Sequence, residues 1–559
     1  MPYLRVAAAQ LNLTVGDLEG NTARMLDAYD QAAAAGADLV AFPELAVTGY
    51  PPEDLLLRRA FVGQAQDALA KLAARTGRTA AIVGFPELDG ALYNSAAVCA
   101  HGQVLGVYRK HLLPNYAVFD EERYFEPWPG DGPLFRIAGA RVAVTVCEDA
   151  WSETGPIRTQ AQSGAELVVN INASPYYAGR LGERERMLAE RATDAGVPVL
   201  YVNLVGGQDE LVFDGASMVI DATGAVLARA VQFEDALLVV DLLVPERKTS
   251  GPVLSEVEVC AVEDHDGTAV PAIAPALEPV PEVYEALVVG TRDYVRKNGF
   301  TEAVIGLSGG IDSALVAAIA TDALGPENVV GVMMPSRFSR GGSGTDSEDL
   351  AANLGIRTLT IPIEPAHQAF LDMLTEPFAG LDPGLAEENV QARVRGTILM
   401  TLSNKLGWLV LTTGNKSEMA VGYATLYGDM AGGFAVVKDV PKLLVYALCR
   451  DRNARAGRVV IPTSIIDKPP SAELRPDQLD IDSLPAYEVL DPIIEGYVED
   501  DKSIADLEAE AHDPETVRRV AALIDRNEYK RRQAPPGVRV SPKAFGKDRR
   551  LPITNRWPG

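Results

Sequence analysis

The sequence predicts an α/β protein made of two α/β units, and three observations support this fold class. Short apolar runs alternate with helical patterns over residues 1–245, as in layered α/β domains. Prolines, acids and small residues dominate residues 246–279, which predicts a linker or a peripheral segment. From residue 280 to 559 a buried-strand pattern, a glycine-rich turn and an Ala/Leu-rich helix follow one another, which predicts a second α/β unit.

The first unit begins with an apolar run at residues 6–9, followed by an alanine-rich helical segment at 21–35. Later apolar runs have the length of buried strands. They lie at residues 38–42, 80–84, 142–146 and 167–171.

Three reactive side chains of this unit, Glu44, Lys110 and Cys147, each follow a predicted strand. Ligand sites of α/β sheets cluster at strand ends, so we expect the three to share a cleft. A carboxylate accepts a thiol proton and an ammonium stabilises an oxyanion, so the set has the composition of a nucleophilic site. By residue type alone, an inert core thiol is the commoner role of such a cysteine.

The segments around these residues resemble the nitrilase, or carbon–nitrogen hydrolase, superfamily. They are Phe42-Pro43-Glu44-Leu45, Tyr108-Arg109-Lys110-His111-Leu112 and Cys147-Glu148-Asp149-Ala150-Trp151. The resemblance covers about the first 245 residues and implies an α-β-β-α sandwich. It also implies that Glu44 is a general base, Lys110 an electrostatic stabiliser and Cys147 the nucleophile that forms a thioester as ammonia leaves.

The same resemblance implies that the amide substrate is glutamine. Four positions resemble the glutamine-binding residues of glutaminase members: Tyr116, Glu148, Ser174 and Arg180. The Arg180 guanidinium is suited to hold an α-carboxylate through two parallel hydrogen bonds, although several relatives have Lys there. Ser174, between Ala and Pro, also fits a simple turn residue.

The central motif of the second unit is a tight turn between a strand at residues 303–305 and a helix. Its residues are Gly306, Leu307, Ser308, Gly309, Gly310, Ile311, Asp312 and Ser313. Glycines permit the bend, the helix N-terminus favours phosphate, and Asp312 is suited to hold Mg²⁺. No lysine follows the glycines, so the motif is not a Walker A loop. A glycine-rich turn without a ligand is the alternative.

This turn resembles the pyrophosphate loop of the N-type ATP pyrophosphatases, which transfer AMP from ATP to an oxygen atom. Further segments follow in the order found in NAD synthetases: Asn389-Val390-Gln391-Ala392-Arg393, Thr412-Thr413-Gly414-Asn415-Lys416-Ser417-Glu418, Tyr427-Gly428-Asp429 and Lys530-Arg531-Arg532-Gln533. With the hydrolase-like unit in front, the chain resembles the glutamine-dependent NAD⁺ synthetases. The second unit is therefore expected to be a Rossmann-like parallel sheet.

The resemblance implies ligands for specific residues of this unit. The residues from Gly306 to Ser313, with Thr413, would bind ATP. Deamido-NAD⁺ would be bound by Asn389, Arg393, Glu418, Asp429 and Lys530, and the metal by Asp312 and Glu418. A helix N-terminal acid without a ligand remains an alternative for Glu418. Leu426 stands where relatives often have Lys, so that contact is missing or replaced.

The implied reaction combines two chemistries. AMP transfer from ATP activates the nicotinate carboxylate, and ammonia from glutamine then displaces AMP. A guarded route for ammonia is expected, because ammonia is mostly protonated in neutral water and because excluding water protects the adenylate. A different carboxylate acceptor is one alternative. A nucleotide sensor with a degenerate hydrolase unit is another, but the intact Glu44, Lys110 and Cys147 argue against it.

Composition limits the partners and the compartment. The net charge of −26 disfavours nucleic acid and anionic membranes as partners. Four widely spaced cysteines without a Cys-x-x-Cys pattern predict neither a zinc site nor a disulfide framework, and they fit a reducing compartment. With no signal-peptide pattern and no apolar run of about 18 residues, we expect a cytoplasmic protein. The resemblance implies a homo-oligomer of unspecified size.

Overall fold

The structure, a computed structural model, describes residues 3–263, 265, 267–339 and 341–557 of the 559-residue chain. It separates into two compact units. The first comprises the chain up to Gln208 together with Val212–Leu277, and the second comprises Asp209–Leu211 together with the chain from Glu278. Among the described residues, no helix combines the length and the apolar character that crossing a membrane requires.

In the part of the first unit that the structure describes, β-strands are accompanied by four α-helices. The strands are Tyr3–Gln10 (β1), Leu39–Ala41 (β2), Ala80–Asp89 (β3), Ala91–Ala100 (β4), Gln103–Arg109 (β5), Leu134–Ile137 (β6), Ala140–Val146 (β7), Leu167–Asn172 (β8), Val199–Asn203 (β9), Val205–Gln208 (β10), Leu211–Asp214 (β11), Met218–Ile220 (β12), Val226–Arg229 (β13), Ala236–Leu243 (β14) and Glu256–Cys260 (β15). The helices are Leu18–Ala34 (α1), Arg59–Ala73 (α2), Pro156–Gln162 (α3) and Arg180–Ala195 (α4).

Two large sheets of this unit pack face to face. One has the strand order β14-β1-β2-β3-β4-β5, and the other has the order β13-β12-β9-β8-β7-β6-β15. In β7, Val142, Val144 and Val146 face the core between the sheets, whereas Ala143 packs on the side of α3 and α4. This alternation follows from the two-residue period of a strand. The predicted α-β-β-α sandwich is confirmed.

The segment 246–279, expected to be a linker, contains part of the second sheet of this sandwich. Its strand β15 pairs in parallel with β6, with Val257 opposite Phe135. Val259 and Cys260 are buried in the core between the sheets. This part of the segment therefore belongs to the first unit. Its backbone pairs with the edge strand β6, and its apolar side chains pack into the core between the sheets.

Over its described residues, the second unit contains five strands and twelve α-helices. The strands are Ala303–Leu307 (β16), Val329–Met333 (β17), Arg357–Thr360 (β18), Leu409–Thr412 (β19) and Phe434–Ala435 (β20). The helices are Pro279–Lys297 (α5), Ile311–Leu324 (α6), Gly341–Leu354 (α7), Glu364–Met373 (α8), Leu385–Leu406 (α9), Lys416–Val421 (α10), Lys442–Ala456 (α11), Thr463–Asp467 (α12), Tyr487–Ile494 (α13), Ile504–Ala509 (α14), Pro514–Arg526 (α15) and Glu528–Arg531 (α16).

The five strands form one parallel sheet with the order β18-β17-β16-β19-β20. Strand order reverses at β16, because β17 lies on one side of it and β19 on the other. Such a reversal opens a crevice at the carboxyl ends of the strands, where ligands of α/β proteins bind. The glycine-rich turn follows β16 and Thr413 follows β19, so both lie at this crevice.

Residues 336–347, rich in glycine and serine, predict a mobile loop that closes over ATP, but half of this segment is helical. Residue 340 lies outside the described residues, and α7 begins at Gly341. Leu350, Ala351 and Leu354 are buried on one face of α7. Their apolar spacing begins beyond residue 347, so it stabilises a helix that extends back into the glycine-rich stretch.

Candidate active sites

Lys110 in the first unit lies between two carboxylates. Its Nζ donates to Glu44 Oε1 at 2.7 Å and to Glu121 Oε2 at 2.8 Å. The side chains of Lys110 and Glu44 are fully buried and that of Glu121 is 6% exposed. Buried charges are costly unless they are paired, so this cluster is held together as a unit.

The Glu44 carboxylate has a fixed orientation. Asn94 Nδ2 donates to its Oε1 at 2.7 Å, and the backbone N–H of Ala173 donates to its Oε2 at 3.1 Å. Every oxygen therefore has a donor. A carboxylate held in this way can accept a proton in one defined direction.

Cys147 begins a short 3₁₀ turn immediately after β7. Its backbone has a φ of +43°, in the left-handed region that non-glycine residues rarely adopt. Burial raises the pKa of its thiol well above the usual value, and Glu44 raises it further, while Lys110 opposes the rise. Both charges thus act on the thiol, and their combined effect with burial favours its protonated form.

Asp149 ties the loop of Cys147 to the loop of Lys110. It is fully buried, and its Oδ1 accepts from the N–H groups of His111 and Leu112 at 3.1 and 3.0 Å. Its Oδ2 accepts from Tyr108 Oη at 2.9 Å and from the N–H of Val146 at 3.0 Å. The relative position of the two reactive side chains therefore depends on this carboxylate.

Glu121 is a member of the cluster that the sequence analysis did not identify. It lies in the sequence Glu121-Glu122-Arg123, which has the composition of an exposed charged loop and no apolar period. Tyr50 Oη also donates to its Oε1, at 3.1 Å. Burial, partly offset by the positive charge of Lys110, raises the pKa of Glu121 to about 7.

Substituting Glu121 is expected to change the pH dependence of stability. As pH rises from about 4.5 to about 7, the unfolded carboxyl loses its proton while the folded one keeps it. Glu121 therefore makes the wild-type protein less stable as pH rises through this window. Glu121→Gln should lose this component in melting temperatures measured between about pH 4 and pH 8. The exposed neighbour substitution Glu122→Gln should keep it, and equal pH slopes for wild type and Glu121→Gln would refute the assignment.

Three of the predicted glutamine-binding residues, Tyr116, Glu148 and Arg180, lie near one another and near Cys147. Tyr116 Oη donates to Glu148 Oε2 at 3.0 Å, and Tyr116 is half exposed. The Arg180 guanidinium lies 4.0 Å from the ring centroid of Trp151, which fixes its plane. These groups can present a cation and a carboxylate to an amino acid substrate.

Ser174 is buried rather than placed on an open turn. Its N–H donates to Asn203 Oδ1 at 2.9 Å, and Arg184 Nη2 lies 3.4 Å from its Oγ. Arg184 itself forms a fully buried ion pair with Asp214, with donor–acceptor distances of 3.0 and 3.1 Å. No local sequence pattern predicts this pair, because its members lie on different elements 30 residues apart.

In the second unit, the predicted phosphate loop lines a cavity of about 470 Å³. The predicted residues on its wall are Gly306, Leu307, Ser308, Gly310, Ile311, Asp312, Ser313, Thr413, Glu418 and Asp429. Gly309 does not line this wall; it faces Ser343 of α7 and allows the loop to approach that helix closely. It has a φ of +74°, and a Cβ there would lie 2.5 Å from the carbonyl oxygen of Ser343. Ser308 Oγ lies 3.1 Å from Ser313 Oγ, which joins the two ends of the turn.

Asp312 and Glu418 lie on either side of a lysine that the sequence analysis did not identify. Lys442 Nζ is hydrogen-bonded to Asp312 Oδ2 and lies 3.6 Å from Glu418 Oε1. Asn415 joins the two acids, because its Nδ2 donates to Asp312 Oδ1 and its Oδ1 accepts from the Glu418 N–H, both at 2.9 Å. Burial and the charge of Asp312 raise the pKa of Glu418 to about 8.

The remaining predicted residues gather around the loop after α10. Thr425 connects two of them, since its Oγ1 donates to Asn389 Oδ1 at 2.8 Å and its N–H donates to Asp429 Oδ1 at 2.7 Å. Lys530 Nζ donates to the carbonyls of Gly422 and Ala424 at 2.7 and 2.8 Å.

Arg393 also contacts this loop, since its Nε donates to the Leu426 carbonyl at 3.2 Å. The contact uses the backbone carbonyl of residue 426, so it does not depend on whether the side chain is Leu or Lys. Arg393, Asn389 and Lys530 do not lie among the described residues that line the 470 Å³ cavity.

Two protein families match the two halves of this geometry. The carbon–nitrogen hydrolase family model matches residues 5–247, and the NAD synthase family model matches residues 283–534. The glutamine-dependent NAD⁺ synthetase of Thermotoga maritima is 49% identical over 574 aligned positions, covering 100% of this chain and 99% of the relative. That of Xanthomonas campestris is 48% identical and covers 100% and 98%.

Solved structures agree with these relatives. The glutamine-dependent NAD⁺ synthetase of Acinetobacter baumannii in complex with adenosine diphosphate has a TM-score of 0.77 and 42% identity, covering 99% of both chains. The enzyme of Cytophaga hutchinsonii, at 23% identity and a TM-score of 0.82, shares the fold. Because the matches extend over both units and over nearly the full length of each relative, the chain belongs to the glutamine-dependent NAD⁺ synthetase family.

Proposed function

We propose that this protein hydrolyses glutamine in its first unit and uses the ammonia to convert deamido-NAD⁺ to NAD⁺ in its second, with ATP cleaved to AMP and pyrophosphate. One observation supports this most strongly. A single chain contains both a buried thiol beside a paired Lys–Glu cluster and a nucleotide-sized cavity lined by a phosphate loop. Relatives that match both units carry this activity in their names.

In the glutaminase half, Glu44 accepts the proton of the Cys147 thiol. The thiolate attacks the side-chain carbonyl carbon of glutamine, and Lys110 stabilises the negative oxygen that forms. The C–N bond breaks, the leaving nitrogen takes the proton from Glu44, and a thioester remains. Water activated by Glu44 then releases glutamate. The raised pKa of the buried thiol supports a mechanism that needs this base.

We assign the binding of glutamine to groups of the same site. Arg180 fits the α-carboxylate, because Trp151 and Glu183 hold its guanidinium in place. Glu148, held by Tyr116, has the charge to bind the α-ammonium group. We assign Ser174 to the same site, with Arg184 and Asn203 orienting it.

In the synthetase half, the backbone and hydroxyl groups of the Ser308–Ser313 turn bind the ATP phosphates at the start of α6. Thr413 contacts ATP from the end of β19. Deamido-NAD⁺ is assigned to Asn389, Arg393, Glu418, Asp429 and Lys530. Their shared contacts with the loop after α10 support a common role.

Mg²⁺ fits the donor set at Asp312 and Glu418. Both are carboxylates on the cavity wall, and Mg²⁺ commonly takes one or two carboxylates with phosphate oxygens. Bound there, the ion would neutralise phosphate charge. Asn415 keeps the two carboxylates close to each other, and Lys442 balances their charge.

We further assign the glutaminase activity to residues 1–245 and the synthetase activity to residues 280–559. Residues 246–279 connect the two and carry no assigned catalytic residue, although their strand β15 extends the second sheet of the first unit. We also assign a cytoplasmic location and a homo-oligomeric state. The cytoplasmic location is supported by four free, buried cysteines. The expected route for ammonia follows from the need to keep the nucleophile unprotonated and the adenylate dry.

Incubating the protein with glutamine, ATP, Mg²⁺ and deamido-NAD⁺ should yield NAD⁺, AMP, pyrophosphate and glutamate. Omitting any one substrate should prevent NAD⁺ formation. A panel of other carboxylates, followed by pyrophosphate release, tests the acceptor. Pyrophosphate release with another acceptor but none with deamido-NAD⁺ would refute the proposed substrate.

A further inference from the structure

Three cations line the cavity of the second unit among the described residues: Arg395, Lys442 and Lys468. Two of them are neutralised by the protein. Lys442 pairs with Asp312, and Lys468 Nζ lies 3.1 Å from Glu473 Oε1. Arg395 forms no ion pair with a described residue, although it is partly buried.

Arg395 is held in place while its charged end remains available. Its Nε donates to the carbonyl of Met334 at 3.1 Å, just beyond the end of β17. Its two terminal nitrogens donate to no described residue, so four N–H donors remain for a ligand. Burial lowers the pKa of its guanidinium, and Glu473 only partly offsets this effect.

Arg395 lies close to the glycine-rich turn. Leu399 lies one turn further along α9, and its Cδ1 is 3.4 Å from where a Cβ of Gly306 would be. Arg395 therefore lies near the point where β16 enters the glycine-rich turn. A partly buried cation without a counter-ion is costly in a folded protein, and an anionic ligand would remove that cost.

We propose that Arg395 binds a phosphate group of the nucleotide that occupies this cavity. This inference rests on the proposed function. It adds Arg395 to the groups of the glycine-rich turn that bind nucleotide phosphates, in a cavity that Lys442 also lines. A guanidinium suits the role because it can donate two parallel hydrogen bonds to phosphate oxygens. The phosphate could come from ATP or from the dinucleotide.

The test compares Arg395→Met, Arg395→Lys and the wild type. Lys405→Met is the matched control, because Lys405 is an exposed cation on the same helix. ADP is the binding probe, read as the rise in melting temperature. Arg395→Met should increase KM for a nucleotide substrate about 10- to 100-fold, and it should lose most of the ADP effect where the bound phosphate is that of ATP. Arg395→Lys should recover part of each loss. Lys405→Met should match the wild type.

The two nucleotides are distinguished by which KM changes. A rise in KM for ATP identifies the ATP phosphates, and a rise for deamido-NAD⁺ alone identifies the dinucleotide. Without ligand, the melting temperature of Arg395→Met should not lie below that of the wild type, because the variant removes a charge that no described residue pairs. Unchanged KM values with an unchanged ADP effect, or a lower melting temperature with unchanged KM values, would overturn the inference. A wild type that binds ADP but makes no NAD⁺ would instead refute the proposed function.

Discussion

Cys147→Ala is expected to abolish NAD⁺ synthesis from glutamine while synthesis from ammonium persists. The alanine has no nucleophile to form the thioester, so glutamine hydrolysis should fall by at least about 10⁴-fold. The cavity of the second unit keeps all of its lining residues, so added ammonium should still attack the adenylate. Glutamate release and NAD⁺ formation, measured with each nitrogen donor in turn, test both statements.

Cys99→Ala is the matched control for this experiment. Cys99 is a fully buried thiol on β4 with a pKa raised by burial alone, and it has no assigned role. Its removal should leave glutamine hydrolysis close to the wild-type rate. Undiminished hydrolysis by Cys147→Ala would remove Cys147 from the mechanism.

Gly309→Ala is expected to reduce AMP formation roughly 100-fold with either nitrogen donor, while glutamine hydrolysis alone persists. The new Cβ would lie 2.5 Å from the Ser343 carbonyl oxygen and 2.8 Å from its Cα. Because backbone cannot move aside as a side-chain end can, the turn must shift away from α7. A displacement of about 1 Å in a positioning group can cost roughly 100-fold in rate. The left-handed backbone of Gly309 adds strain of about 1 kcal/mol or more. Pyrophosphate release and KM for ATP measure the effect.

Gly342→Ala provides the control for this substitution. Gly342 lies in α7 near the same turn, and a Cβ there would have no atom within 4 Å. Alanine should leave ATP use unchanged and stabilise the helix by up to about 1 kcal/mol. Wild-type KM and rate in Gly309→Ala would show that the turn does not depend on the close approach to Ser343.

The reactive residues at strand ends were predictable because their signals are local. The apolar run of β7 has the length of a buried strand, and Cys147 directly follows it. The glycines after β16 likewise predict a turn followed by a helix, and the structure contains both. The same logic failed for the start of α7, where glycine and serine hid a helix stabilised by later apolar residues.

Side chains that complete each site were not predictable in this way. Glu121 reads as a solvated charge until the fold buries it against Lys110. Lys442 meets Asp312 across 130 residues of sequence, and no local period relates them. Arg395 looks like any other arginine of the sequence, and only the folded cavity shows that no described residue forms an ion pair with it.

The sequence by itself determined the two-unit organisation, the strand ends that carry Glu44, Lys110 and Cys147, and the glycine-rich turn after β16. These features depend on side-chain period and backbone preference over a few neighbouring residues. Only the tertiary structure decided which charges are buried together and which remain unpaired. Burial and ion pairing depend on distances between segments that are remote in sequence, and these distances exist only after the sheets and helices have packed.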